Sequence, residues 1–286
     1  MPELPEVQAL AGFLDDHCRG QEITRVEVAA LSALKTFDPP VDALVGAPVA
    51  GVTRVGKYLS LRVGAQFMVV HLARGGWVHW RDRVPPGRAR PGRGPLALRV
   101  GLSGGAGFDV TEQGTEKRLA IWVVRDPAEV EGVARLGPDP LAPDFDLETL
   151  DRQLRGATGH LKKVLTDQSA LAGVGNAYSD EALHAARLSP FKPAAKLTAE
   201  ETERLYAALV GVLGEAVVRS EGLAASGLKS EKKSGLAVHG RAGQPCPVCG
   251  DTIREVSYAT KSFQYCPTCQ TGGKPLADRR LSRLLK

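Results

Sequence analysis

Apolar positions along this chain change period twice, and the changes divide it into distinct kinds of structure. Over residues 5–18, Val7, Leu10, Leu14 and Cys18 recur at three- and four-residue spacing, which predicts an amphipathic helix with Cys18 on its core face. Between residues 23 and 126 the pattern shortens to partly alternating apolar runs, among them 52–63, 67–72, 96–102 and 119–124, and predicts a β-sandwich or barrel. The stretch 84–95, with Pro-Pro-Gly and Arg88, Arg90 and Arg93, interrupts these strands as a solvated loop. From residue 147 the period turns helical, with helices predicted near 147–154, 160–167, 177–186 and 199–219. Residues 222–235, rich in Ser, Lys and Gly, read as a flexible connector whose Lys229, Lys232 and Lys233 face solvent. The pattern gives an α+β chain in three parts: 1–140, 141–235 and 236–286.

Charge adds a direction to this outline. Lys and Arg exceed Asp and Glu by 37 − 32 = 5. Within the last thirteen residues Lys274, Arg279, Arg280, Arg283 and Lys286 stand against Asp278 alone. Such an end either binds a polyanion or forms a solvated tail. No apolar run approaches the ~18 residues of a membrane span, and the N-terminus lacks a secretory pattern. The expectation is a cytoplasmic protein with no membrane partner.

The strongest local chemical pattern is Cys246-Pro-Val-Cys249 followed, after sixteen residues, by Cys266-Pro-Thr-Cys269. Two C-x-x-C knuckles at this spacing close one tetrahedral thiolate site around zinc, and four cysteines leave no position for a reactive water. A redox pair is the alternative. As a metal site it is structural, holding a small hairpin whose apolar residues are Val248, Ile253, Val256 and Phe263. The expected cofactor is one zinc ion, with no organic cofactor.

The first six residues, Met1-Pro2-Glu3-Leu4-Pro5-Glu6, admit two readings. If Met1 is removed, Pro2 is a secondary amine with an ordinary pKa of about 7.7 to 8.0, nucleophilic near neutral pH and able to form a cationic iminium with an aldehyde carbon. Alternatively, Pro2 and Pro5 only stiffen the entry to a helix, with Pro5 in the favoured first turn.

Taken together in chain order, residues 2–7 (Pro-Glu-Leu-Pro-Glu-Val), 54–59 (Arg-Val-Gly-Lys-Tyr-Leu), 173–178 (Gly-Val-Gly-Asn-Ala-Tyr) and the four-cysteine finger resemble the formamidopyrimidine-DNA glycosylase and endonuclease VIII family of base-excision repair enzymes. The resemblance implies an N-terminal helix and β-sandwich lobe, a helical lobe with a helix-two-turn-helix over about 160–186, and a C-terminal zinc finger, with DNA bound between the lobes. It implies a bifunctional DNA glycosylase and abasic-site lyase, monomeric, bacterial in type and working at the nucleoid. Pro2 would be the nucleophile, Glu3 the general acid and base, and Lys57 a phosphate contact near the lesion. Lys162 and Asn176 would meet phosphates from the helical lobe, and His71 belongs to the same DNA-facing set. The partner would be damaged double-stranded DNA, with abasic or single-stranded DNA as further substrates, and the target base must leave the stack.

Where the chain departs from the family, the changes fall on lesion recognition. Family members that recognise 8-oxoguanine commonly carry methionine in a His-Leu-Gly-Met-Ser-Gly loop, whereas this chain has His71-Leu72-Ala73-Arg74-Gly75-Gly76. The family's Asp-Pro-Arg-Arg-Phe-Gly becomes Thr115 to Ala120, so that Lys117 or Arg118 and Leu119 stand where an arginine and an intercalating phenylalanine are expected. Lys261 replaces the finger's arginine, which keeps the charge but loses the bidentate fork. His239 stands at a common tyrosine position. Two other functions compete with the enzyme: a protein that binds distorted or abasic DNA without excision, and a zinc-ribbon interaction module.

Overall fold

The computed structural model describes residues 1–87, 89–90, 92, 94–258 and 261–277. Arg88, Arg93 and most of the basic C-terminal stretch therefore lie outside the described residues. The chain packs as two compact units: residues 1–135 with 220–229, and residues 136–219 with 230–286.

The first unit opens with α1 (Leu4–Cys18), whose Val7, Leu10, Leu14 and Cys18 are fully buried. Glu3 is its N-cap, and the Glu6 carboxylate accepts the Glu3 N–H at 2.8 Å, satisfying one of the donors a helix start leaves open. Burial pushes the Cys18 thiol up to about 12, as suits a core residue. Among the described residues eight strands follow: β1 (Ile23–Val28), β2 (Val49–Val55), β3 (Tyr58–Val63), β4 (Gln66–His71), β5 (Gly76–Arg81), β6 (Leu96–Leu102), β7 (Gly107–Glu112) and β8 (Ala120–Val124). They form two antiparallel four-stranded sheets, ordered β1-β6-β7-β5 and β2-β3-β4-β8. Alternation along β3 and β4 sends Leu59, Leu61, Met68 and Val70 into one core with Val78, Leu98, Val100, Phe108 and Val110 from the other sheet and the buried face of α1. The outer side of the second sheet carries a smaller cluster, Val69, Val124 and Val130, ahead of the short α2 (Glu131–Ala134).

The second unit contains α3 (Leu147–Gly156), α4 (Leu161–Thr166), α5 (Asn176–Ala185) and the long α6 (Ala199–Ser220). Asp146 caps α3 by accepting the Thr149 N–H at 2.8 Å. The expected connector at 222–235 is ordered instead. It contains α7 (Leu228–Ser234), Ala225 and Leu228 are buried in the first unit's core, and the Trp77 indole N–H donates to the Ala225 carbonyl at 2.9 Å. Its glycines and serines conceal two apolar anchors that composition alone does not weigh. Lys232 lies over the Tyr178 ring, 4.8 Å from its centroid, rather than simply facing water. The chain ends in a hairpin, β9 (Arg254–Tyr258) with β10 (Lys261–Tyr265), and α8 (Pro267–Thr271).

Among the described residues no helix is long and apolar enough to cross a membrane.

Candidate nucleic-acid interface and zinc centre

In the first unit, strand register gathers the candidate residues at one end of the sandwich. Tyr58 pairs with His71, and His71 with Ala120. The β2–β3, β4–β5 and β7–β8 turns, which carry Lys57, Arg74 and Lys117 to Leu119, therefore issue from the same edge. The start of α1 is tied to it by Arg54, whose Nε donates to Gln8 Oε1 at 2.9 Å and whose Nη1 donates to the Gly56 carbonyl at 3.2 Å. Pro2 and Glu3 are both buried there. Arg54 was legible only as part of a motif, because its partner lies on another element.

Lys57 occupies the turn after Gly56, whose φ of +57° lies in the left-handed region, and it is 6 % exposed. Its charge and, more strongly, burial hold the His71 imidazole down to about 4. His71 is thus neutral at pH 7, and any phosphate it meets would receive a hydrogen bond rather than a cation. An unfolded histidine takes up its proton near pH 6.5, so between 6.5 and 4 the unfolded chain binds more protons than the folded one. The stability His71 contributes above pH 6.5 should therefore be lost progressively as the pH falls toward 4. Denaturation midpoints measured across that window should decline, and His71→Asn should flatten the decline.

Arg74 is exposed at the β4–β5 turn, whereas Leu119 is not. Leu119 is 2 % exposed, and its side chain belongs to the core between the sheets. This corrects its assignment as a DNA-facing wedge: the step into β8 points it inward. Lys117 and Arg118, on the same loop, are exposed.

In the second unit Lys162 is also corrected. It is 9 % exposed, and its ammonium donates to the Asn176 carbonyl at 2.7 Å, to Ser179 Oγ at 2.8 Å and to Asp180 Oδ1. Those contacts direct its charge into α5 rather than toward a phosphate. Lys162→Met should cost about 3 to 5 kcal/mol, because Asp180 would be left buried without its cation. Urea unfolding measures that loss, and the salt slope of DNA binding should lack the drop of about 0.9 that removing a phosphate contact gives.

Gln168 organises the turn between α4 and α5. Its amide donates to Val174 O at 2.8 Å and accepts the Gly173 N–H at 3.0 Å, so this glycine's amide is engaged within the turn. Gly173 itself has φ +83°. Asn176 opens α5, and its Nδ2 donates to the Ser262 carbonyl of β10 at 2.6 Å. Lys261 is the first residue of β10, opposite Tyr258; its side chain and residues 259 and 260 lie outside the described residues.

The four cysteine sulfurs lie within 4.8 Å of one another, with Cys246 to Cys269 at 3.9 Å and Cys249 to Cys266 at 3.4 Å. Thiolates around one tetrahedral zinc stand about 3.8 Å apart, given Zn–S bonds of about 2.3 Å, so this set fits zinc. Ile253, Val256 and Phe263 are buried as expected, but Val248 is 60 % exposed: it lies between two cysteines whose sulfurs turn to the metal cluster, and its own side chain faces water.

The acidic pair that orients the finger was not singled out in the sequence. Glu181 accepts the N–H groups of Ala237, Val238 and His239, while Asp180 Oδ2 meets His239 Nδ1 at 2.7 Å and the Gln264 N–H at 3.1 Å. Burial raises the Glu181 pKa, and the three amides oppose that rise. His184 places Nε2 3.3 Å from Cys246 Sγ. The available signal was charge inside a helix otherwise composed of buried residues, since Ala177 to His184 are all buried.

Comparison with known proteins follows the same order along the chain. Family models match at residues 1–112 (formamidopyrimidine-DNA glycosylase N-terminal domain), 136–226 (formamidopyrimidine-DNA glycosylase H2TH domain) and 243–272 (zinc finger found in FPG and IleRS). The formamidopyrimidine-DNA glycosylase of Symbiobacterium thermophilum is 35 % identical over 290 residues, covering 98 % of this chain and 93 % of that protein. The crystal structure of the MutM (Fpg) protein of Thermus thermophilus aligns with a TM-score of 0.79 at 33 % identity, over 96 % of this chain and all (100 %) of that one. Lactococcus lactis Fpg, crystallised non-covalently with DNA containing an abasic site, aligns with a TM-score of 0.80 at 25 % identity, over 94 % and 99 % of the two chains.

Proposed function

The chain belongs to the formamidopyrimidine-DNA glycosylase family, and from that membership we propose that it removes a damaged base and then cleaves the strand through an iminium on Pro2. It is a DNA glycosylase of repair with a structural zinc finger, and its partner is damaged DNA. The observation that carries the finer reading is the placement of Pro2 and Glu3, buried side by side where α1 begins, at the sandwich edge that also holds Lys57.

In this mechanism the Pro2 nitrogen attacks the deoxyribose C1′, the bond from C1′ to the base breaks, and the base leaves with the proton that the Pro2 N–H gives up. Glu3 protonates O4′ as the sugar ring opens, leaving an iminium at C1′. The iminium acidifies the C2′ proton. The Glu3 carboxylate left after protonating O4′ takes that proton, which expels the 3′ phosphate by β-elimination, and a second elimination releases the 5′ phosphate. Lys57, Asn176 and Lys261 are proposed as the residues that hold the backbone phosphates during these steps, with His71 as a neutral donor. Arg74 and Arg118 are proposed to face the bases where the flipped nucleotide leaves a gap, with Lys117, whose Nζ donates to the Glu112 carbonyl, bracing their loop.

Duplex oligonucleotides, each with one defined lesion or abasic site and one chosen opposite base, test this reading. Strand cleavage with phosphate at both new ends, and a borohydride-trapped adduct, are expected. A clean binding shift with an intact strand and no adduct on any substrate would instead indicate a protein that only recognises damaged DNA.

A further inference from the structure

Glu112, the last residue of β7, is a carboxylate 4 % exposed that the mechanism above does not use. It is spent on backbone. Its Oε1 accepts the N–H groups of Arg118 at 2.7 Å and Leu119 at 2.9 Å, and its carbonyl accepts Lys117 Nζ at 2.6 Å. The neighbouring Gln113 N–H donates to the Gly75 carbonyl at 2.9 Å. A Cβ at Gly75 would stand 2.1 Å from the Gln113 carbonyl oxygen, so the two turns approach each other as bare backbone. One buried side chain thus fixes the loop that carries Lys117 and Arg118, and that loop is bonded to the turn that carries Arg74. Leu119, packed in the core, closes the loop's far end.

We propose that Glu112 is a positioning residue for substrate discrimination: by binding the amides of Arg118 and Leu119, and with its carbonyl holding Lys117 Nζ, it keeps the 113–119 loop rigid, so that Arg118 and Arg74 meet the bases around the lesion as one preset cationic edge. The physical reason is entropic. Long cationic side chains on a loose loop neutralise phosphates in any sequence context, whereas the same charges on a fixed backbone distinguish one base arrangement from another. The role in discrimination rests on the function proposed above; the lock on the loop does not.

Two variants separate these parts. Glu112→Gln keeps an oxygen that can accept both N–H groups, and Glu112→Ala removes it. Limited trypsin digestion without DNA should cut Glu112→Ala after Lys117 and Arg118 about tenfold faster than the wild type, with Glu112→Gln close to wild type. On duplex abasic sites, the ratio of kcat/KM for the best to the worst opposite base should fall about tenfold in Glu112→Ala and be restored in Glu112→Gln, while kcat/KM on single-stranded abasic DNA, which offers no opposite base, should change little in either variant. Equal trypsin sensitivity in all three proteins would overturn the lock. A faster cut with an unchanged opposite-base ratio would overturn the role in discrimination. Absence of cleavage and adduct in the wild type itself would sink the proposed function and the discrimination role with it, while the digestion pattern still decides whether Glu112 fixes the loop.

Discussion

Borohydride is expected to trap this chain on abasic DNA only when Met1 has been removed. With Met1 attached, Pro2 nitrogen is an amide whose lone pair is delocalised into the carbonyl, and neither attack on C1′ nor an iminium is available to it. With Met1 gone, Pro2 carries a secondary amine just ahead of α1, and the fraction uncharged near neutral pH is the nucleophile. A preparation that retains Met1, or a Pro2→Gly chain extended by one blocking residue, should lose trapping and strand cleavage by on the order of a thousandfold or more, the scale expected when a covalent nucleophile is removed. Glu3→Gln should reduce cleavage while leaving binding to abasic DNA in place. Intact-mass spectrometry of the same preparation fixes the fraction lacking Met1. Trapping that does not follow that fraction would place the nucleophile elsewhere.

The second large effect is expected from loss of the metal. The finger's apolar clusters are small, with Val238, Ile253 and two of the cysteines in one and Val256, Phe263 and Tyr265 in the other. They cannot offset the entropy of ordering the hairpin, whereas a structural zinc site contributes roughly 10 to 16 kcal/mol of apparent binding free energy near neutral pH. Chelation, or Cys266→Ser, should therefore unfold the segment from about residue 243 to 272 and weaken DNA binding by about a hundredfold, since Asn176 would lose its Ser262 partner as well as the finger's own contacts. The first unit, whose core contains no finger residue, should keep its thermal transition. Circular dichroism with metal analysis follows the unfolding, and unchanged affinity after proven metal loss would remove the finger from the DNA interface.

Features set by local spacing are readable without the fold. Helical period identifies α1 and α3 to α6, alternation identifies much of the sandwich, and the two C-x-x-C knuckles identify the metal ligands, because each depends on residues a few positions apart. The order of the connector at 222–235 is hidden for the opposite reason. It comes from Trp77, 148 residues away from Ala225, and no local pattern carries that contact. Arg74, Lys117 and Arg118 are visible as departures from the family, but Glu112, which fixes the backbone beneath two of them, is not.

The sequence by itself determined the terminal proline with its adjoining carboxylate, the thiolate zinc site and the α+β division, since bond connectivity and short-range periodicity suffice for these. Only the tertiary structure decided how individual charges and apolar groups are used. Lys162 faces inward because Asp180, eighteen positions on, needs a cation in a buried helix. Leu119 fills the core because the register of β8 turns it there, and Asp180 and Glu181 hold the finger because burial leaves their oxygens no water to bind. A charge or a wedge is recognisable from its residue type, but its partner is set by which distant elements pack against it.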